Sequence, residues 1–387
     1  MDSIRTFLRS HGWFLFGLAL TVALFWGLRI HYWVSTEEAP FSDMQDYQLM
    51  AENIRDDFDF SWKPPFYKAY VTPIMPGLRA LQMALTGPEK IDWSAVQTLL
   101  LFAGLIFLAW EIYQWTRNRW LALGLLAVVA LSQSSIFWSL KIARESLAEA
   151  SIYWLAATLL WAFRKQQAWR FFIVGTVAAI ALLNRNNFLL VLPSMGLLIL
   201  IQGIDPDFKF FLRRQLPANL LPFGLFCFGV ILAWSPWIIR NYKLSGEFIP
   251  LGTQTPYSFF WEYGQVEVTL PNGATKTFDT NQLAQEANRD FQNDFAAYRE
   301  HKKLIPLWML QNGPFWVKRV ITRNIPRGIN DNTIYLTKVP RENIFQSSWD
   351  IILLDKNPIF LITGMTGLIL FVWGRGTPGF TIAVVTI

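Results

Sequence analysis

Trp93-Ser-Ala-Val-Gln-Thr-Leu-Leu-Leu-Phe-Ala-Gly-Leu-Ile-Phe-Leu-Ala-Trp-Glu-Ile112 carries one charged side chain, Glu111, in 20 residues. A helix rises about 1.5 Å per residue, so about 20 apolar residues cross the hydrocarbon of a bilayer. Runs that are long enough, or nearly so, recur at 13–30, 120–136, 147–163, 171–183, 188–201, 220–239 and 359–373. Several hold only 13 to 18 residues. Those must tilt little or end where protein, not lipid, surrounds them. The expected fold class is an all-α polytopic membrane protein.

Composition agrees: 53% of the 387 residues are hydrophobic and 16% charged. The net charge of +6 reads as anchoring at the inner face, because basic residues stand where short inner loops are wanted. No basic patch is interleaved with aromatics, so nucleic acid is not an expected partner. The single cysteine, Cys227, lies inside an apolar run, which leaves no internal disulfide and no cysteine metal site. The first run follows Arg5 and Arg9 without a small-residue cleavage pattern and reads as a retained anchor.

Four basic clusters, Arg5/Arg9, Arg117/Arg119, Arg164/Lys165/Arg170 and Lys209/Arg213/Arg214, all favour the cytoplasm. The first two must be separated by an even number of crossings. Residues 70–85, with Pro73, Pro76 and Arg79, therefore suit a helix lying along the membrane rather than a crossing. By the same parity, 171–183 and 188–201 form a hairpin with an outward tip, Asn184-Arg-Asn-Asn187. The expected organisation is a bundle over 1–239 with a first external loop at 33–92, a mixed external domain at 240–356, and a final span within 357–387. Within the external part, Pro271-Asn-Gly273 is a turn signal between two alternating runs, and 282–301 has charged helical character.

In the first loop, Ser42 followed by Gln45 is a capping box that starts a helix at Asp43. Spacings of three and four place Asp43, Asp46 and Tyr47 on one face of it. Carboxylates near lipid are costly unless a substrate, metal or partner compensates them. The alternative is a pair of ordinary first-turn acids on a wet surface. A second acidic site, Arg144-Glu145 with Glu149 one turn deeper, opens the run at 147–163. Arg185 at the hairpin tip suits a phosphate, and Arg240 ends a long run at the outer interface. No phosphate loop, Gly-x-Gly-x-x-Gly or paired-histidine motif is present.

Taken in order, Ser42-Asp-Met-Gln-Asp-Tyr47 with Ala51 and Ile54, Lys63-Pro-Pro-Phe-Tyr67, Thr72-Pro-Ile-Met-Pro-Gly-Leu78, Arg144-Glu-Ser-Leu147 and Leu183-Asn-Arg-Asn-Asn187 resemble a known family. So do Ser235-Pro-Trp-Ile-Ile-Arg-Asn-Tyr242, Gly246-Glu-Phe-Ile-Pro-Leu251 and Trp316-Val-Lys-Arg319. The pattern is similar to the GT-C superfamily of multi-spanning glycosyltransferases, in particular its bacterial family-39-like members akin to protein O-mannosyltransferases and aminoarabinose transferases. The resemblance implies a GT-C-type bundle with its site facing the periplasm or cell exterior of a bacterial inner membrane. It implies a polyprenyl-phosphate sugar as donor, membrane lipid around it, and a glycan, lipid or protein as acceptor. It also implies Asp43 as catalytic carboxylate and Glu145 as the second acidic residue; Asp46, on the same helical face as Asp43 by spacing, is a further candidate acid. The family continues with further spans, whereas an apolar stretch begins at Gly376 and stops at Ile387, so a truncated end is expected.

An acceptor hydroxyl needs a base, and Asp43 is the expected one. An anionic leaving group needs cations: Arg185 and Arg240 first, then Arg144, with Tyr47 beside them. No second carboxylate is placed for a covalent intermediate, so the anomeric centre should invert. No cofactor is required by the motifs; oxygen donors from Asp43, Asp46 and Glu145 would suit magnesium or manganese. The rival readings are a lipid or solute transporter or flippase, and a non-catalytic protein of cell-envelope polysaccharide assembly.

Overall fold

The computed structural model describes residues 2–36, 43–62, 64, 68–202, 216–254, 266–278 and 294–319, and the side chains of most of these from residue 12 onward. Ser42, most of Lys63-Pro-Pro-Phe-Tyr67, the basic cluster at 209–214, the run at 359–373 and the stretch after Gly376 lie outside the described residues.

The bundle is formed by α1 (Asp2–Ser35), α4 (Lys90–Thr116), α5 (Arg119–Ala130), α6 (Gln133–Trp138), α7 (Arg144–Lys165), α8 (Ala168–Asn184), α9 (Val191–Leu200) and α10 (Leu216–Ser245). Two helices of the first loop precede α4: α2 (Asp43–Asp57) and α3 (Ile74–Thr86). Four of these helices contain a stretch long and apolar enough to cross a membrane: Gly12–Ser35, Lys90–Thr116, Arg144–Lys165 and Leu216–Ser245. The arms of the expected hairpin are shorter; α8 has 17 residues. They meet at Arg185, whose extended backbone ends α8 before a 3₁₀ turn at Asn186–Leu190.

The run at 120–136 is not the single span its hydropathy suggests. It breaks after Ala130, and Ser132 starts α6 by accepting from the Ser135 amide. Arg29 of α1 compensates the break: its guanidinium donates to the Val129 carbonyl at 3.4 Å and to Ser135 Oγ at 2.7 Å. Such replacement of lost ladder bonds is what makes a broken helix tolerable at membrane depth.

Helix α7 packs between α4 and α8, and α8 crosses α10 closely. That crossing rests on two glycines. A methyl at Gly175 would overlap the Phe226 carbonyl, and one at Gly229 the Phe172 carbonyl. Small residues are the usual means of bringing membrane helices this near. Leu99, Ile106, Trp110, Leu197, Phe228 and Ile231 stay exposed and form an apolar exterior suited to lipid.

Polar contacts gather at the two ends of the bundle. At one end Arg164 grips Glu111 through two 2.8 Å bonds, Arg119 lies over Phe14, and Asn219 donates to the Leu200 and Gln202 carbonyls. At the other, Trp33 donates to Ser139, Gln97 to the Ser139 and Lys141 carbonyls, Thr72 to the Asn184 carbonyl, and Trp237 to the Leu251 carbonyl.

Beyond α10 the chain returns to the first loop. The amides of Thr253 and Gln254 donate to the Ala69 and Tyr70 carbonyls, and Gly252 passes so near the Tyr70 carbonyl that a side chain there would collide with it. An antiparallel hairpin, β1 (Val266–Thr269) and β2 (Thr275–Phe278), turns at Pro271-Asn-Gly273, where Gly273 adopts φ +80°. Helix α11 (Asp294–Gln311) holds it: the Gln311 side chain bonds both backbone groups of Thr269. A short α12 (Gly313–Arg319) follows.

Candidate active site at one end of the bundle

Asp43 and Asp46 stand in the first described turn of α2; Ser42, the expected cap, lies outside the described residues. The helix is fixed by burying Met44, Tyr47 and Met50 against Val71, Met75, Trp93, Ile142 and Leu147. Arg79 of α3 ties the loop further, donating to Gln48 Oε1 at 3.0 Å, to Gln82, and to the Pro88 and Glu89 carbonyls. Burial holds its guanidinium below the usual pKa, with Glu52, Asp92 and Glu89 opposing. Within this packing Asp43 is left exposed and Asp46 half-buried.

Tyr47 is the centre of the group. Its ring is 4% exposed, and the Arg144 guanidinium lies over it at 5.2 Å. The phenol is raised well above its ordinary pKa, first by burial. Arg144 opposes this, Asp43 and Glu145 add to it, and Arg185 opposes it again. Five residues chosen from sequence, on three elements, thus share one electrostatic neighbourhood. Glu145 is paired with Arg185 at 3.5 Å, both partly exposed. Asn184 keeps the α8 end against the α7 start, donating to the Arg144 carbonyl at 3.4 Å while its own carbonyl accepts from Thr72 at 3.3 Å.

Arg240 stands in an adjoining cluster. It lies over Phe60 and Trp237 at 5.2 and 4.9 Å and donates to Asn241 Oδ1 at 3.0 Å. Trp237 packs with Ala69, Leu183 and Ile249, which links this cluster to the hairpin tip. Glu149, one turn below Glu145, accepts from the Tyr153 hydroxyl at 2.7 Å. Among the described residues, no three carboxylate, histidine or cysteine side chains gather as a metal ligand set. Glu145 is engaged by Arg185.

Sequence reading passed over Lys141 in this region. It is buried in the turn leading to Arg144, its ammonium 4.5 Å from the Phe137 ring centroid. Burial pushes its pKa down to about 8. A cation three residues before Arg144, between two apolar runs, is the signal that could have found it.

No protein-family model and no curated protein matches the chain. Two solved structures are similar in fold. One is the Archaeoglobus fulgidus oligosaccharyltransferase tethered to an acceptor peptide, at 12% identity and TM-score 0.48, covering 98% of this chain and 46% of that one. The other is ArnT from Cupriavidus metallidurans bound to undecaprenyl phosphate, at 12% identity and TM-score 0.45, covering 97% of this chain and 77% of that one. The chain thus spans about half the length of the archaeal enzyme. Likenesses at this identity and score do not carry function to this chain.

Proposed function

We propose that this protein is a membrane glycosyltransferase that moves a sugar from a polyprenyl-phosphate donor to an acceptor hydroxyl on the outer side of the membrane. One observation carries the reading: an exposed carboxylate, Asp43, opens a helix whose buried Tyr47 is flanked by Arg144 and Arg185, at one end of an apolar bundle. The motif resemblance points to the same residues. Base and cations in one neighbourhood are what displacement from a phosphate requires.

Asp43 takes the proton of the acceptor hydroxyl as its oxygen bonds to the anomeric carbon. The bond from that carbon to the phosphate oxygen breaks, and its electron pair leaves with the polyprenyl phosphate. Arg185 and Arg144 stabilise the departing phosphate; Arg240, at the neighbouring cluster, meets the donor where the lipid enters. Glu145 holds Arg185 in place rather than acting as a second base, and single displacement inverts the anomeric centre. In this assignment the bundle, the first loop and the segment after α10 form one site facing the periplasm or cell exterior.

The test is incubation of membranes containing the protein with labelled polyprenyl-phosphate sugars and a panel of glycan, lipid and peptide acceptors. Transfer that disappears in Asp43→Asn supports the reading. Transfer undiminished in that variant removes Asp43 from the chemistry.

A further inference from the structure

The opposite end of the bundle carries a second charged arrangement that the proposed reaction does not use. Two turns, each of two residues, close this end of the bundle: Arg117-Asn118 between α4 and α5, and Gln166-Gln167 between α7 and α8. Arg117 and Gln166 both adopt left-handed backbone, at φ 56° and 48°, which closes the turns tightly. Just before them, the Glu111–Arg164 bridge joins the end of α4 to the end of α7. Around the turns stand Arg117, Arg119, Lys165 and Arg170, and the only carboxylate in 111–120 and 161–170 is Glu111, which Arg164 already engages.

Tryptophans form a shelf beside these cations. The Arg170 guanidinium lies 4.0 Å from the Trp161 ring and 5.5 Å from the Trp169 ring, and the two indoles meet edge to face at 5.4 Å. Arg119 lies over Trp120 at 5.6 Å. Trp110, Trp120 and Trp169 are each more than half exposed. Indoles prefer the headgroup level of a bilayer, and cations there attract anionic headgroups. Arg170 is pre-oriented by its bonds to Gln167 Oε1 and the Trp161 carbonyl, so little side-chain freedom is lost on binding.

We propose that this end is a binding surface for anionic phospholipid. The headgroup phosphate is held between Arg117 of one turn and Lys165 and Arg170 of the other, with acyl chains running down the apolar faces of α4 and α8. The lipid bridges the two turns and so stabilises the pairing of α4–α5 with α7–α8.

The full-length protein, purified in a neutral detergent, is titrated with short-chain phosphatidylglycerol, phosphatidylcholine or inorganic phosphate while its thermal melt is followed. Phosphatidylglycerol should raise the melting temperature saturably, and the other two should not. Each cation is worth about fivefold in affinity, so the triple variant Arg117→Gln/Lys165→Gln/Arg170→Gln should bind phosphatidylglycerol ~10²-fold more weakly. Arg55→Gln, at the far end, should respond like the wild type. Equal shifts with both lipids, a shift reproduced by inorganic phosphate, or unchanged affinity in the triple variant would each overturn the assignment. If the triple variant does not fold, native mass spectrometry of the wild type decides: preferential retention of phosphatidylglycerol sustains the proposal and equal retention of the two lipids ends it.

Discussion

Replacing Glu145 by Gln separates two roles that a carboxylate in this neighbourhood could have. The substitution keeps size and removes the charge that faces Arg185 at 3.5 Å. At an effective dielectric of ~20 the attraction across that distance is about 5 kcal/mol before screening. The side chains are 30% and 38% exposed, and pairs this wet retain at most about 1 kcal/mol net. The loss therefore leaves folding nearly unaffected and lets Arg185 wander, weakening the donor phosphate by about fivefold. Saturation curves for the labelled donor, at fixed acceptor, should show KM raised by that factor and kcat within about twofold of wild type. Asp43→Asn in the same assay should lower kcat by ~10² or more at unchanged donor KM. The opposite pattern, with Glu145→Gln losing ~10² in kcat and Asp43→Asn nearly active, would show that the base is Glu145.

Gly175→Leu or Gly229→Leu should separate α8 from α10, because either side chain meets a backbone carbonyl that cannot rotate away. Overpacking of this kind costs about 1–3 kcal/mol or more and should appear as a lower melting temperature in detergent. Gly124→Ala, which meets nothing within 4 Å, should leave melting unchanged or slightly raised. A pH effect is expected outside the bundle. Glu247 binds Lys302 at 2.8 Å and Arg299 at 2.9 Å, and these contacts, Lys302 first, hold its carboxyl below the ordinary value of 4.5. A depressed folded-state pKa means the contribution is complete above that value and is lost as pH falls through the folded one. Protection of α11 amides, measured relative to intrinsic exchange at each pH, should therefore fall below about pH 4.5 in wild type, and that fall should be absent in Glu247→Gln. For topology, single cysteines at Glu89 and Asn272 in a Cys227→Ala background should react with an impermeant thiol reagent from outside, and one at Asn118 only after permeabilisation. Protection at position 89, with labelling from outside of a cysteine placed at Ser42, would turn residues 70–85 into a crossing.

Hydropathy and charge run along one dimension and act against a planar bilayer, which is why so much of this chain could be read without coordinates. The placing of most of the described apolar runs, the polar break around Arg185 and the turn at Gly273 all follow from local composition. The candidate residues Asp43, Tyr47, Arg144, Glu145 and Arg185 were legible for the same reason: each stands out as polar at an apolar boundary. Their meeting was not. Whether Arg144 covers Tyr47, whether Glu145 faces Arg185, and whether Arg240 joins them or stacks on Phe60 and Trp237 depend on how each helix is rotated about its axis and on how deep it sits. Those rotations are set by contacts between distant segments, such as Gly175 and Gly229 letting α8 and α10 close up, Arg29 repairing the break between α5 and α6, and Asn184 joining α7 to α8. No window of sequence contains both partners of such a contact, so only the tertiary structure could decide it.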